Sequence, residues 1–151
     1  MAGVTARHNL VRANVSHPAN TALPPLCYDA SVASVAQQWA DGCTWAHSKN
    51  LQQLGLGENL YAYATSGPPP ATPQLLAVDA WAAEAANYNY AANSCSGVCG
   101  HYTQVGWRNS NRLGCAVRQC TTGSPFAGYP TWWFVVCNYQ PPGNYIGQRP
   151  Y

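Results

Sequence analysis

A chain of 151 residues has the length of one ordinary domain, enough to bury about two thirds of the surface its unfolded form exposes. Charged residues make up 8% and hydrophobic ones 47%, and the formal net charge is +2, with lysines and arginines scattered from Arg7 to Arg149. Without a run of cations to track phosphates the composition excludes a nucleic-acid partner, and no apolar stretch approaches the roughly 20 residues of a membrane span.

The residues Val4, His8, Val11 and Val15 recur at helical spacing and predict a first helix, which Pro18 ends. Asp29 is placed to cap a second helix whose stripe is Val32, Val35, Ala36, Trp39 and Cys43. Gly55 to Asn59 reads as a turn, in which the Glu58 carboxylate accepts backbone N–H groups. Thr65 to Pro73, rich in proline, reads as a surface loop. Gln74 to Tyr88 predicts a third helix with Leu75, Val78, Trp81, Ala85 and Tyr88 on one face, which puts Glu84 among aromatics and in need of a partner. Beyond Cys99 the period changes to two. Leu113, Cys115 and Val117, then Trp133, Val135 and Cys137, predict an antiparallel pair of strands joined by the long loop 121–131. Helices around a small antiparallel sheet make an α+β, three-layer arrangement in one domain spanning residues 1–151.

Seven cysteines, with no paired CxxC spacing, read as a disulfide framework. Persistent disulfides need an oxidising compartment, so the expected location is extracellular. No secretory leader precedes the first helix, and the sequence reads as a mature form with a start methionine. Cys95 and Cys99 are four apart in one loop, Cys115 and Cys137 are in phase on the two strands, and Cys43 and Cys120 pair by elimination. Cys27 is left over, as a buried free thiol, as the link of a disulfide-bonded dimer, or as a member of a different pairing scheme. A monomer is the expectation in the first case.

Four ordered strings then carry a resemblance: His8-Asn9, Gly57-Glu58-Asn59-Leu60, Gly100-His101-Tyr102-Thr103-Gln104-Val105-Gly106-Trp107, and Val136-Cys137-Asn138-Tyr139 with Pro142-Gly143-Asn144. They resemble the signature motifs of the CAP superfamily, the cysteine-rich secretory, antigen 5 and pathogenesis-related proteins, over about Ala6 to Tyr151. The ending Gly147-Gln148-Arg149-Pro150-Tyr151 is most similar to the plant pathogenesis-related class 1 branch. The resemblance implies an α-β-α sandwich and a cavity in which His47, Glu58, Glu84 and His101 meet. Two imidazoles and two carboxylates suit a divalent ion such as Zn2+, with carboxylates as ligand or as supporting partners. Because imidazole ligates only when neutral, affinity is expected to fall below about pH 6.5. Asn9, Tyr61, Tyr102 and Gln104 are the implied ligand-contacting residues.

Three features depart from the family pattern. Gly106 stands where a β-branched residue is usual, which predicts a looser turn after His101. Gln140 stands where plant relatives often carry Asp, ahead of the segment Pro141 to Tyr151 that resembles a released defence peptide. Cys27 lies outside the six-cysteine framework.

Three functions follow as expectations: a defence-type module binding a sterol, a fatty acid or a microbial membrane component; a signalling or protein-interaction role through the C-terminal segment or through the His/Glu cleft; and a metal-dependent hydrolase with Glu58 or Glu84 as base. The aromatic, uncharged composition supports the first, with the loop Tyr61 to Pro73 as a lid. No H-E-x-x-H motif supports the third.

Overall fold

The computed structural model describes residues 1–15 and 22–151; Pro18 lies outside the described residues. Helix α1 spans Val4–Ala13 and α2 Ala30–Asp41, where the Asp29 carboxylate accepts from the Ser31 and Val32 N–H groups as an N-cap. A short α3, Leu51–Leu54, ends at Gly55 with φ 63, a left-handed turn that glycine adopts without a Cβ penalty. Helix α4 is Pro73–Ala83, with Pro73 in the first turn where its missing N–H costs nothing. The predicted helix through Tyr88 is shorter: a 3-10 turn takes over at Glu84–Asn87. Tyr88 belongs to an extended hairpin, β3 Tyr88–Asn89 with β4 Ser94–Cys95, and Cys95 is tied by its disulfide to Cys99 at the start of α5, Gly100–Val105.

The two predicted strands are β5, Arg112–Cys120, and β6, Trp132–Gln140, joined antiparallel across 121–131. Two further strands complete the sheet, β1 Cys27–Tyr28 and β2 Gly57–Tyr63, in the order β1-β5-β6-β2. Pairing is antiparallel except at β1, which runs parallel to β5. The turn expected over Gly55 to Asn59 therefore gives way to strand at Gly57. Its alternation escapes notice in the sequence because Glu58 and Asn59, on opposite faces, are both polar and both held by partners.

Helices lie on both faces, giving the three layers. On one side α1, α4 and α5 cover Leu113, Cys115, Val135, Cys137 and Tyr139; on the other α2 covers Ala116, Phe134 and Val136. Gly114 lets α2 come that close, since a Cβ there would sit 2.0 Å from the Ala33 backbone nitrogen. The disulfides are Cys43–Cys120, Cys95–Cys99 and Cys115–Cys137, as the spacing argument paired them. Cys27 is free but exposed, not buried, because β1 is an outer strand with both residues facing solvent.

Arg12 behaves unlike the surface charge its place in the sequence suggests. It is 2% exposed, and its guanidinium donates to the carbonyls of Pro24 at 2.6 and 2.9 Å, Val105 at 2.9 Å and Trp107 at 2.8 Å. Burial pulls its pKa down to about 10, still charged at neutral pH. The cation thus sits at the C-terminal end of α5, where orphan carbonyls and the helix dipole favour it. Arg12→Met would strand these carbonyls without donors and should lower the unfolding free energy by about 3 kcal/mol or more. Urea denaturation at pH 7 reads this as a lower midpoint at unchanged slope.

Candidate functional site

Strand β2 is the last strand of the sheet, so its outer edge is open, and the four candidate residues stand around that edge in two pairs. Consecutive strand residues face opposite sides. Glu58 points to the side of α2 and meets His47, while Asn59 points to the other side, donating to the His101 carbonyl at 3.0 Å and the Tyr139 hydroxyl at 3.1 Å. Glu84 and His101 form the second pair beside Asn59.

In the first pair, the Glu58 side chain is fully buried and each of its oxygens accepts twice. Oε1 takes the His47 ring at 2.8 Å and the Ser48 N–H at 2.9 Å; Oε2 takes the Ser48 hydroxyl and the Asn138 amide at 3.3 Å. Burial raises the carboxyl's pKa, but hydrogen bonds from His47, Ser48 and Asn138 outweigh it and hold it below its ordinary value. In the second pair, Glu84 Oε1 accepts from the His101 ring at 2.6 Å, and Oε2 accepts the backbone N–H groups of His101 and Tyr102, both at 3.0 Å.

Both histidines are gripped through Nδ1. A carboxylate on Nδ1 fixes the tautomer with its proton there and leaves Nε2 as a lone-pair donor. His101 is further set by Trp81, whose ring lies parallel to it with centroids 6.1 Å apart, and Trp81 in turn donates its indole N–H to the Leu60 carbonyl at 3.2 Å. Among the described residues one set of three or more histidine, cysteine or carboxylate donors lies within 4.8 Å, and it is His8, Cys115 and Cys137. Those two sulfurs are bonded to each other, which removes the thiolates a metal would need.

A cavity of about 460 Å³ adjoins His101 and Glu84, walled by Trp45, Tyr61, Trp81 and Phe126 together with Leu60 and Ala62. Trp45 is propped edge-on by Phe134 and Trp132, with centroids 5.8 and 6.3 Å away. The outer wall is Pro125 and Phe126 of the β5–β6 loop rather than the proline-rich segment 65–73. Of the four implied ligand contacts, Tyr61 lines this cavity. Asn9 is bonded to the Leu26 backbone through both amide atoms, Gln104 to Ser110 and Gly143, and Tyr102 to the hydroxyl of Tyr151. Ser48, Asn138, Asn59 and Trp45 carry no chemical signal in the sequence that marks them for the site.

A fold of this topology with these paired residues defines a class, and the chain belongs to it: residues 5–139 match the cysteine-rich secretory protein (CAP) family. Within the family it falls with the plant pathogenesis-related class 1 proteins. It is 44% identical to pathogenesis-related leaf protein 4 of Solanum lycopersicum, over 97% of this chain and 80% of the relative. It is 40% identical to pathogenesis-related protein 1 of Arabidopsis thaliana, over 95% of this chain and 78% of the relative. The crystal structure of NaASP2 with Zn2+ superposes with a TM-score of 0.75 at 28% identity, covering 98% of this chain and 82% of that one.

The hydrogen bond that the His47 ring donates to Glu58 raises the His47 pKa above its ordinary 6.5, against a smaller opposing effect of burial. The raised His47 stabilises the fold fully below pH 6.5 and loses this as pH rises through its folded pKa; the depressed Glu58 stabilises above pH 4.5 and loses this as pH falls through its own. Both contributions are present together between those values. Titration of the ring protons by NMR should place His47 above 6.5, and Glu58→Gln should bring it down.

Proposed function

We propose that the cleft at the open edge of β2 binds a divalent ion through Nε2 of His47 and His101 and an apolar ligand, a sterol or fatty acid, in the adjoining aromatic cavity. The protein then works outside the cell in a defence-type role. What carries the reading is the pairing itself: two carboxylates hold two imidazoles by Nδ1, the arrangement that second-shell carboxylates give zinc-binding histidines. The donor set fits zinc as two nitrogen ligands with two orienting carboxylates, the remaining positions being left to water or ligand. When bound, the ion would supply a Lewis acid at the mouth of the cavity.

The ligand class follows from the walls. A cavity of about 460 Å³ lies within the usual range for small-molecule sites, and its surface is mostly aromatic and aliphatic with His101 and Glu84 as the polar end. An elongated apolar molecule with one polar terminus matches that distribution. The zinc in the NaASP2 structure and the plant relatives' name as pathogenesis-related proteins support the metal and the defence role. All four carboxylate oxygens already accept hydrogen bonds, which disfavours either acid as a general base, so hydrolysis is not proposed.

Equilibrium binding of a fluorescent sterol and a fluorescent fatty acid to the oxidised protein, with and without zinc, tests the reading. Saturable binding at micromolar concentration, strengthened by zinc and losing that dependence in His101→Ala, is expected. Equal signals from the protein and from a Trp45→Ala, Phe126→Ala variant would remove the cavity from the account.

A further inference from the structure

The β3–β4 hairpin is too short to hold its shape alone, since an isolated two-stranded ribbon is marginally stable in water. Contacts with the body of the domain fix it. Tyr88 packs on Tyr102 with ring centroids 6.1 Å apart, Cys95 is bonded to Cys99, and the Tyr90 ring lies parallel to that of Tyr151 at 5.1 Å. Arg149 donates to the Tyr90 and Ala91 carbonyls at 2.9 and 2.6 Å.

Strand alternation puts the neighbours of Tyr88 and Cys95 on the other face of the hairpin. Asn89 stands opposite Ser94, and one step along the ladder the Ser96 N–H donates to the Asn87 carbonyl at 2.9 Å. Asn87, Asn89, Ser94 and Ser96 therefore share a face, and with Ala86 and Tyr90 they line an open cavity of about 460 Å³. No charged side chain lines it, and it has no lining residue in common with the aromatic cavity beside His101.

Bonds within the chain orient both amides, so what each can offer a ligand is defined. Asn89 Oδ1 accepts the Ala92 N–H at 3.0 Å, which leaves the amide N–H groups as donors. Asn87 Nδ2 donates to the Val98 carbonyl at 3.2 Å, which leaves Oδ1 as an acceptor. The Ser96 hydroxyl donates to the Asn87 carbonyl at 3.3 Å and keeps its lone pairs, and among the described residues the Ser94 hydroxyl has no partner. Donors and acceptors are thus interspersed on a face without charge.

Such a face suits a neutral ligand whose hydroxyls each donate and accept. An ion would find no counter-charge here, and an apolar chain would strip water from these groups and replace none of it. A peptide strand would add to a sheet edge through its backbone, whereas this is a face of side chains. We propose that the outer face of the β3–β4 hairpin binds a neutral oligosaccharide, whose ring hydroxyls replace water on Asn87, Asn89, Ser94 and Ser96. Because the hairpin is held from behind and its amides are already oriented, little of the protein has to be ordered on binding. The proposal does not depend on the cleft's ligand.

The test is titration of the oxidised full chain with uncharged hexasaccharides of glucose, mannose and N-acetylglucosamine, followed by nitrogen–proton NMR correlation spectra. At least one should bind with a dissociation constant of about 1 mM or tighter and shift the side-chain amide signals of Asn87 and Asn89. Preference among the three separates a structural polysaccharide from a mannose-rich glycoprotein as the source of the sugar. Ser94→Ala removes no side-chain bond within the chain, and Asn89→Asp keeps the acceptor for Ala92 while losing the donor. Each should weaken binding about fivefold or more. Absence of shifts at these residues with all three neutral sugars at about 10 mM overturns the proposal. Equal binding of a galacturonic acid hexamer, charged on every ring, or displacement of the sugar by a fluorescent fatty acid, overturns it as well.

Discussion

A neutral histidine at the centre of the domain fixes how four elements meet. His8, completely buried on α1, donates Nδ1–H to the Val4 carbonyl at 2.8 Å, so its Nε2 must accept, and the Tyr139 hydroxyl donates to it at 2.8 Å. The Tyr139 oxygen accepts from Asn59, which also holds the His101 carbonyl. One chain of hydrogen bonds thus runs from α1 through β6 and β2 to α5. Burial drives the His8 pKa down to about 4 and pushes the Tyr139 hydroxyl far above its usual value, so neither ionises near neutrality. A charged member in this apolar setting would lack solvation, which makes the network an all-or-none element of the packing.

The site inherits its form from that chain and from the sheet edge. Asn59 fixes the backbone of His101 on one side of β2, and its neighbour Glu58 necessarily faces the other side, where it holds His47. Edge position is what makes this useful, because on an inner strand the two faces would be separated by a paired neighbour. Arg12 completes the frame by gripping the carbonyls that follow α5, so the same helix that carries His101 is clamped at both ends, by Glu84 at its first N–H groups and by Arg12 at its last carbonyls.

Regular periodicity made α1, α2, α4, β5, β6 and the in-phase Cys115–Cys137 bridge legible, since each stripe answers to a single packed face, whereas α3 and α5 are too short to show one. The motif resemblance singled out His47, Glu58, Glu84 and His101, which their spacing could not, and the structure pairs His47 with Glu58 and His101 with Glu84. Strand β2 stayed hidden because its buried residues include Glu58 and Asn59, whose polarity mimics a turn until their partners are in place. Arg12 stayed hidden for the same reason: its partners are backbone carbonyls, which have no residue identity to read. Gly106 reads in the sequence as a looser turn, whereas its N–H bonds the Tyr102 carbonyl at 2.9 Å and its Cα packs against the Tyr151 ring, from which a Cβ would lie 3.3 Å away.

The central claim is that His8 is held neutral by the fold, and it is tested by the unfolding free energy of wild type and His8→Gln in urea at pH 6.5 and pH 4.5. The unfolded chain takes up a proton at His8 below its ordinary value of 6.5, and the native chain does not until about 4, so falling pH favours unfolding. Acidic groups contribute alike to both proteins, and the wild type should lose roughly 2 kcal/mol more than His8→Gln between these two conditions. An equal loss in the two proteins would mean that His8 titrates near its ordinary value, and the network could not be the neutral, closed chain described.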